Sequence, residues 1–368
     1  MVLDVATVTN DRPQVVAPVD GAADAIVATD LRRVFRKRKG WFRSGEEVVA
    51  VKGVSFAVPR GTIFGMLGPN GAGKTTTIKM LSTLLVPSAG TATVNGYDVV
   101  RDEIMVRRQL GVLFGGDRGL YNALSGWENL RYFGRLYGMR DDAIERRARM
   151  LLDRVQLSKR AGERVEGYSR GMKQRLHIAK TLLHDPAVLI LDEPTIGLDP
   201  AAALDVRRLI ADLVPEHTVL LTTHDMTEAD ELCREIAIVD RGEIVAQGAP
   251  EALKATAAVE RQVVIRLAEA PMSGLDPIER RLRGLPEVTH VRHHFAESGE
   301  PTLVIRCDET TATLDEALAV LREARASVAA VQVKEPSLED AFLAATGREF
   351  EESEGATGVE RDEAVIGE

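Results

Sequence analysis

Cysteine is nearly absent from this chain: Cys233 and Cys307 are the only two among 368 residues. Neither carries metal-site spacing around it, so a disulfide framework is not expected and both should be buried, reduced thiols. Long hydrophobic runs are missing as well. The longest unbroken ones are short, as at Ala187–Leu191, whereas a membrane span needs roughly 18 apolar residues or more, so no bilayer crossing is expected. The first residues include Asp4, Asn10, Asp11 and Arg12 and lack an apolar core followed by a cleavage site, which predicts against secretion. An excess of positive charge is also lacking. A net charge of −9 argues against a general nucleic-acid binder. The rest of the composition is that of a globular chain, 45% hydrophobic and 28% charged, which excludes wholesale disorder. The length suggests two or three domains.

Residues 1–24 hold Pro13, Pro18 and Gly21, show no period, and read as a disordered lead-in. Ala25–Phe35 predicts a strand, followed by a basic loop, Arg36–Arg43, that includes Trp41 and Phe42. Val48–Val58 alternates as a second strand closed by a turn at Pro59-Arg60-Gly61. Thr62–Leu67 predicts a short buried strand, and Thr75–Leu85 a helix after a Gly-rich loop. Between about 117 and 168 the pattern becomes helical. Leu124, Trp127, Leu130, Phe133, Leu136 and Tyr137 keep helical spacing, and Asp142–Val155 predicts a second helix. A polar turn, Gly167–Gly171, opens another helix, while Ala187–Leu191 and Thr218–Thr222 read as buried strands. Strands alternating with helices imply a parallel sheet covered on both faces, an α/β domain over 25–250.

From about Val259 the pattern restarts. Gln262–Leu267 is a strand, Pro277–Leu285 a helix, Val288–Phe295 and Thr302–Cys307 strands, Leu314–Ala324 a helix and Val328–Val333 a strand. That βαββαβ order predicts a ferredoxin-like α+β domain over 259–347. A last helix spans Ser337–Thr346, with Ser337 as N-cap and Gly347 as stop. The acidic stretch 348–368 has no apolar period and is expected to be disordered.

Gly68-Pro69-Asn70-Gly71-Ala72-Gly73-Lys74-Thr75 matches the P-loop pattern G-x-x-x-x-G-K-[ST] and lies between a strand and a helix, as that motif requires. Its glycines let backbone N–H groups curl around phosphate oxygens, and the helix N-terminus adds partial positive charge. Lys74 is expected to reach the β- and γ-phosphates and Thr75 to bind Mg²⁺. Gly68, Asn70, Gly71, Gly73 and Thr76 are the other expected nucleotide contacts on this loop. Kinases, GTPases, helicases and transport ATPases share a P-loop, so discrimination lies downstream. Ala187–Thr195 is an apolar strand ending in Asp192 and Glu193. Asp192 is expected to hold Mg²⁺, mostly through water. Glu193 is expected to orient and partly deprotonate the attacking water, a role that contributes about 10²–10⁴-fold in rate.

Three further motifs follow in order. Tyr168-Ser169-Arg170-Gly171-Met172-Lys173-Gln174 precedes a helix, Gly197-Leu198-Asp199 follows the acidic pair, and His224 follows the strand Thr218–Thr222. With these, the chain resembles the ATP-binding cassette (ABC) ATPases over roughly Ala25–Gly248. They look like the signature, the D-loop and the switch histidine of that family, with a helical insert between P-loop and signature. The resemblance implies a P-loop NTPase cassette with a helical subdomain that binds ATP and Mg²⁺. It implies two cassettes facing head to tail, as a homodimer or heterodimer, with each ATP between one P-loop and the other signature. Ser169 and the Gly171 N–H then contact the γ-phosphate across the dimer, His224 contacts the same phosphate, and Asp199 communicates between the two sites. His177 and His184 occupy no such position and read as structural.

The chain also departs from the family. Cassettes usually carry a glutamine between the sheet and the helical insert, but in Gly111–Gly119 its place is taken by Gly115 or Gly116. Either hydrolysis is lowered or a neighbour substitutes. Asp117 is the candidate, since a carboxylate is a good Mg²⁺ ligand. Arg170 stands where a glycine is common. The aromatic that stacks on adenine is best matched by Phe35, with Trp41 and Phe42 left open. The basic loop reads first as solvated, then as a contact for anionic lipid headgroups, and last as a nucleic-acid contact.

Only one cassette is present, and no sustained heptads occur. Glu335–Gly347 resembles the closing segment of drug-export cassettes of the daunorubicin-resistance type, whose membrane partners are ABC-2 permeases. Gly115–Tyr121 looks like a variant found among bacterial ABC-2 export cassettes. The resemblance therefore implies the ATP-hydrolysing subunit of a bacterial ABC-2 type exporter. Such a subunit is peripheral on the cytoplasmic side of the cell membrane, drives efflux of a drug, lipid or other small molecule through a separate permease, and uses its C-terminal extension as a cap or dimerisation element. Leu338, Ala341, Phe342 and Ala345 share one face of the last helix, which also reads as a packing stripe. The alternative is a soluble ABC-type regulatory or assembly ATPase that works without a permease. A degenerate member of a heterodimer is a third reading, opposed by the intact Lys74, Asp192, Glu193 and His224.

Overall fold

The structure, a computed structural model, describes residues 24–36, 47–115, 119–257, 261–269, 274–295 and 300–347. The expected lead-in and acidic tail, most of the basic loop with Trp41 and Phe42, and Asp117 lie outside these residues. The chain divides after Pro250 into two compact units.

In the first unit, β1 (Asp24–Arg36) and β2 (Glu47–Pro59) pair antiparallel. β3 (Ile63–Leu67) runs through the Gly-rich loop into α1 (Lys74–Leu81). Thr83 adopts a left-handed φ of 61°, which ends α1 sooner than the apolar spacing through Leu85 predicts. Then come β4 (Ala89–Val94), β5 (Tyr97–Asp98), α2 (Glu103–Gln109) and β6 (Leu110–Leu113). The helical insert holds α3 (Gly126–Leu136) and α4 (Asp141–Arg154), and α5 (Arg170–Thr181) follows it. The unit continues with β7 (Val188–Asp192), α6 (Pro200–Ala211), β8 (Thr218–Thr223), α7 (Met226–Leu232), β9 (Glu235–Asp240) and β10 (Glu243–Gly248). A short helix, α8 (Pro250–Ala255), begins at the division.

The central sheet has the order β10-β9-β3-β8-β7-β6 and is parallel from β9 to β6. Every residue of β3, β7 and β8 is buried. That is why β3, Val188–Leu191 and Val219–Leu221 read as continuous apolar runs: a parallel sheet is covered on both faces. A second sheet, β2-β1-β4-β5, is antiparallel, and its strands contribute Ile26, Leu31, Val54, Val58 and Val94 to the same core as Phe64, Ile78 and Ile190.

The insert departs from its apolar pattern. Leu130 is fully buried, but Leu136 is 65% and Tyr137 47% exposed. The last turn of α3 thus leaves its apolar side open, with Tyr137 stacked on His184. The start of α3 is a capping box. Ser125 Oγ accepts from the Glu128 N–H, and Glu128 Oε2 accepts from the Ser125 N–H at 2.8 Å.

The second unit reads β11 (Gln262–Leu267), α9 (Asp276–Leu282), β12 (Val288–Phe295), β13 (Pro301–Cys307), α10 (Thr310–Glu323), β14 (Val328–Lys334) and α11 (Leu338–Thr346). Its sheet is antiparallel in the order β12-β13-β11-β14. Val263, Ile265, Leu282, Val291, Leu303, Ile305 and Leu321 form its core. Ser337 caps α11, and Gly347, left-handed at φ 71°, ends it. Leu338, Ala341 and Phe342 are buried, whereas Ala345 is exposed: the packing stripe stops one turn short of its expected length. Cys233 and Cys307 are buried free thiols.

Ser125→Ala should loosen the first turn of α3 by about 1 kcal/mol. The expected readout is faster hydrogen exchange at the amides of that turn, and unchanged protection there contradicts the capping role.

Candidate functional site

The candidate site is assembled from sheet topology. β8 lies between β3 and β7, so the loops leaving the carboxyl ends of three adjacent strands meet. These carry Lys74 after β3, Asp192 and Glu193 at the end of β7, and His224 just past β8. Ligand sites of open α/β sheets lie at this edge.

The P-loop backbone is shaped by glycine. Gly73, with φ 107°, is the N-cap of α1, and a Cβ there would lie 2.8 Å from the Ala50 carbonyl oxygen. An L side chain is therefore excluded on both conformational and steric grounds. Gly71 is likewise left-handed at φ 80°. With glycine as the cap, the cap residue has no side chain to bond the first N–H groups of α1, an arrangement that suits an anion there. Gly68, Asn70, Lys74, Thr75 and Thr76 all belong to this turn and the start of the helix.

Lys74 is 5% exposed. Its Nζ donates to the Gly68 carbonyl and, at 3.1 Å, to the Pro69 carbonyl, and lies 3.8 Å from Glu193 Oε1. Burial lowers its pKa, opposed by the charges of Glu193 and Asp192. Thr75 Oγ1 donates to Asp192 Oδ2 at 3.2 Å, and Thr222 donates to Asp192 Oδ1. Burial raises the Asp192 pKa against those hydrogen bonds. A hydroxyl and a carboxylate this close form a hard oxygen pair of the kind that suits Mg²⁺.

Glu193 has a left-handed φ of 48°, uncommon for a residue with a Cβ and concentrated at functional sites. Its N–H donates to the Thr222 carbonyl at 2.9 Å. That backbone turn aims the carboxylate at His224, whose Nδ1 lies 3.3 Å from Glu193 Oε1. Burial disfavours the Glu193 charge, yet His224 and Lys74 outweigh it and hold the pKa below the ordinary glutamate value. The same contact with Glu193 raises the His224 pKa, against burial. Glu193 thus stands between the Lys74 amine and the His224 imidazole, both of which favour its charged form. A cavity of about 200 Å³ opens beside it, lined by Glu193, Thr195, Gly197 and His224 among others.

The other expected residues make local contacts of their own. Ser169 caps α5 by accepting from the Met172 N–H, and Asp199 caps α6 by accepting from the Ala202 N–H. Gly171 is packed so closely on Ala202 that a Cβ would lie 2.7 Å from it. Arg170 donates to the Gly197 carbonyl at 3.2 Å. Phe35 lies near the end of β1, 37% exposed, with the Arg33 guanidinium 4.8 Å from its ring centre. His184 is structural, its Nε2 3.0 Å from the Leu110 carbonyl oxygen. Sequence reasoning missed Thr222 and Gln174. Gln174 donates to the Pro194 carbonyl at 2.6 Å, tying α5 to the loop after Glu193. Thr222 has no motif spacing that could have announced it, and Gln174, which closes the stretch Tyr168–Gln174, carries no signal there of its bond to Pro194.

With this geometry in hand, residues 51–196 match the ABC transporter family. Among characterised relatives, the doxorubicin resistance ATP-binding protein DrrA of Mycobacterium tuberculosis is 38% identical, over 88% of this chain and 93% of that protein. The ABC transporter ATP-binding protein NatA of Bacillus subtilis is 41% identical, over 62% of this chain and 91% of that protein. A solved ATP-binding subunit of an ABC transporter matches with a TM-score of 0.52 at 29% identity, covering 63% of this chain and 92% of that one.

Lys74→Ala removes a buried cation that sits between the P-loop and Glu193. Charge-assisted contacts contribute about 1.5–3 kcal/mol each, so affinity for a nucleoside triphosphate should fall at least about tenfold in equilibrium binding. Unchanged affinity contradicts the phosphate role.

Proposed function

The chain belongs to the ABC transporter ATP-binding family, and on that premise we propose that it is the ATP-hydrolysing subunit of a bacterial exporter, seated on the cytoplasmic face of a separate ABC-2 type permease. The observation that carries the enzymatic half is the contact of Glu193 with both Lys74 and His224. Lys74 exchanges its loop carbonyls for the β- and γ-phosphate oxygens of ATP. Thr75 and Asp192 are the residues that would hold Mg²⁺, which would supply positive charge against the phosphates. Glu193, whose charged form Lys74 and His224 favour, accepts the proton of the attacking water. His224 orients that carboxylate and reaches toward the γ-phosphate.

The second half of the site comes from another cassette. Ser169 and Gly171 stand at the start of α5, Ser169 as its N-cap. In a head-to-tail pair they present a helix N-terminus to the γ-phosphate bound by the partner. Asp117 is the proposed substitute for the absent glutamine, and Phe35 the proposed adenine platform.

Export is supported by the relatives that share most of the chain's length. Besides the doxorubicin resistance protein, a daunorubicin resistance ATP-binding protein of Streptomyces coeruleorubidus and a Nod factor export protein of Cupriavidus pinatubonensis match over 83% and 87% of this chain. Docking on a permease is supported by apolar surface on the helical insert, where Tyr121, Leu136, Tyr137 and Met150 are all exposed. Among the described residues no helix is long and apolar enough to cross a membrane. In the proposed complex the permease carries the transport path and sets the cargo.

Co-purification tests the transport half. The tagged chain, expressed with its neighbouring genes and extracted gently from membranes, should bring down one integral membrane protein in stoichiometric amount. A clean chain without any membrane protein, absent from the membrane fraction, contradicts this reading.

A further inference from the structure

One buried carboxyl near the site has no part in the chemistry above. Glu228, in the first turn of α7, is fully buried. Its Oε1 accepts from Thr195 Oγ1 at 2.9 Å, and its N–H donates to Asp225 Oδ1 at 3.0 Å. The Thr223 side chain lies against the same carboxyl. Its other oxygen, Oε2, is buried without a hydrogen-bond partner. A buried carboxyl with an unsatisfied oxygen opposes folding, and an apolar side chain would fill the space more favourably. Departures of this kind concentrate where function requires them.

The placement indicates the function. Thr195 is two residues past Glu193, and Thr223 immediately precedes His224. We propose that Glu228 is a positioning residue for hydrolysis, joining the loop that carries Glu193 to the loop that carries His224. Glu193 needs such support, since its left-handed backbone is an uphill conformation that its surroundings must hold. The His224 loop is fixed from the other side. The Asp225 N–H donates to Thr223 Oγ1 at 2.9 Å, and the Asp225 carboxylate pairs with Arg207 at 2.9 Å. Glu228 is the link between these two fixed points. It adds a side-chain tie beyond the strand ends to the backbone bond from the Glu193 N–H to the Thr222 carbonyl, and so steadies the 3.3 Å contact between Glu193 and His224.

This inference rests on Glu193 and His224 acting in hydrolysis, so the wild-type chain's ATP turnover is measured first. In Glu228→Ala, kcat should fall about tenfold while KM for ATP stays within about twofold, since loss of one buried hydrogen-bonded link misaligns the reacting groups and leaves the P-loop intact. Glu228→Gln should recover to within about threefold of wild type, because its amide oxygen still accepts from Thr195. Thr195→Val removes the link from the other side with the carboxyl kept in place, and carries the test should Glu228→Ala fail to fold. It should lower kcat by a similar factor, and the two changes together should cost little more than either one. A wild type without turnover contradicts the hydrolytic reading itself. A wild type that turns over, with kcat unmoved by Thr195→Val or Glu228→Ala, contradicts the positioning role alone, as does a Glu228→Gln variant no better than Glu228→Ala.

Discussion

The site depends on burying charge and compensating it at once. Lys74 and Asp192 are 5% and 6% exposed, and an isolated ion at such depth would cost several kcal/mol. Each one has an answer nearby. Lys74 faces Glu193 and two loop carbonyls, Asp192 takes two threonine hydroxyls, and Glu193 faces His224. The sheet order makes this possible: β8 pairs with β7, which brings His224 to Glu193, and with β3, which brings the Lys74 loop to the same edge.

The same arrangement shows why the reactive groups were readable from the chain and their supports were not. Lys74, Thr75, Asp192 and Glu193 lie at spacings that chemistry dictates, directly after apolar strands whose burial on both faces makes them plain. His224 became readable only through its place in a series of motifs. Thr222, Gln174 and Glu228 act through contacts across the fold, and a threonine ending a strand or a glutamate opening a helix looks like ordinary capping. Strands fared similarly. β3, β7 and β8 stood out as apolar runs, whereas β4, Ala-Gly-Thr-Ala-Thr-Val, and the two-residue β5 offer too little hydrophobic signal to separate them from loop. Leu136 and Tyr137 kept the helical period and were nonetheless left on the surface, because periodicity identifies a face without saying what covers it.

Three contacts link the loop after Glu193 to its surroundings: Gln174 to the Pro194 carbonyl, Arg170 to the Gly197 carbonyl, and Thr195 to Glu228. Two of them come from α5, the helix whose first turn is proposed to meet the partner's ATP. Arg170, where the family more often has glycine, thus has a local role: its guanidinium holds the D-loop backbone. In the proposed dimer, ATP bound across the interface pulls on α5, and α5 is hydrogen-bonded to the segment that carries the catalytic carboxylate.

The central claim is that one chain supplies only half of each hydrolytic site. It is tested most directly by the oligomeric state of Glu193→Gln, measured by light scattering with and without ATP. The glutamine keeps the shape of the side chain and removes its capacity to accept a proton, so ATP should bind and persist. The account predicts a monomer without nucleotide and a stable dimer with ATP. A variant that binds ATP and remains monomeric at every concentration would contradict it.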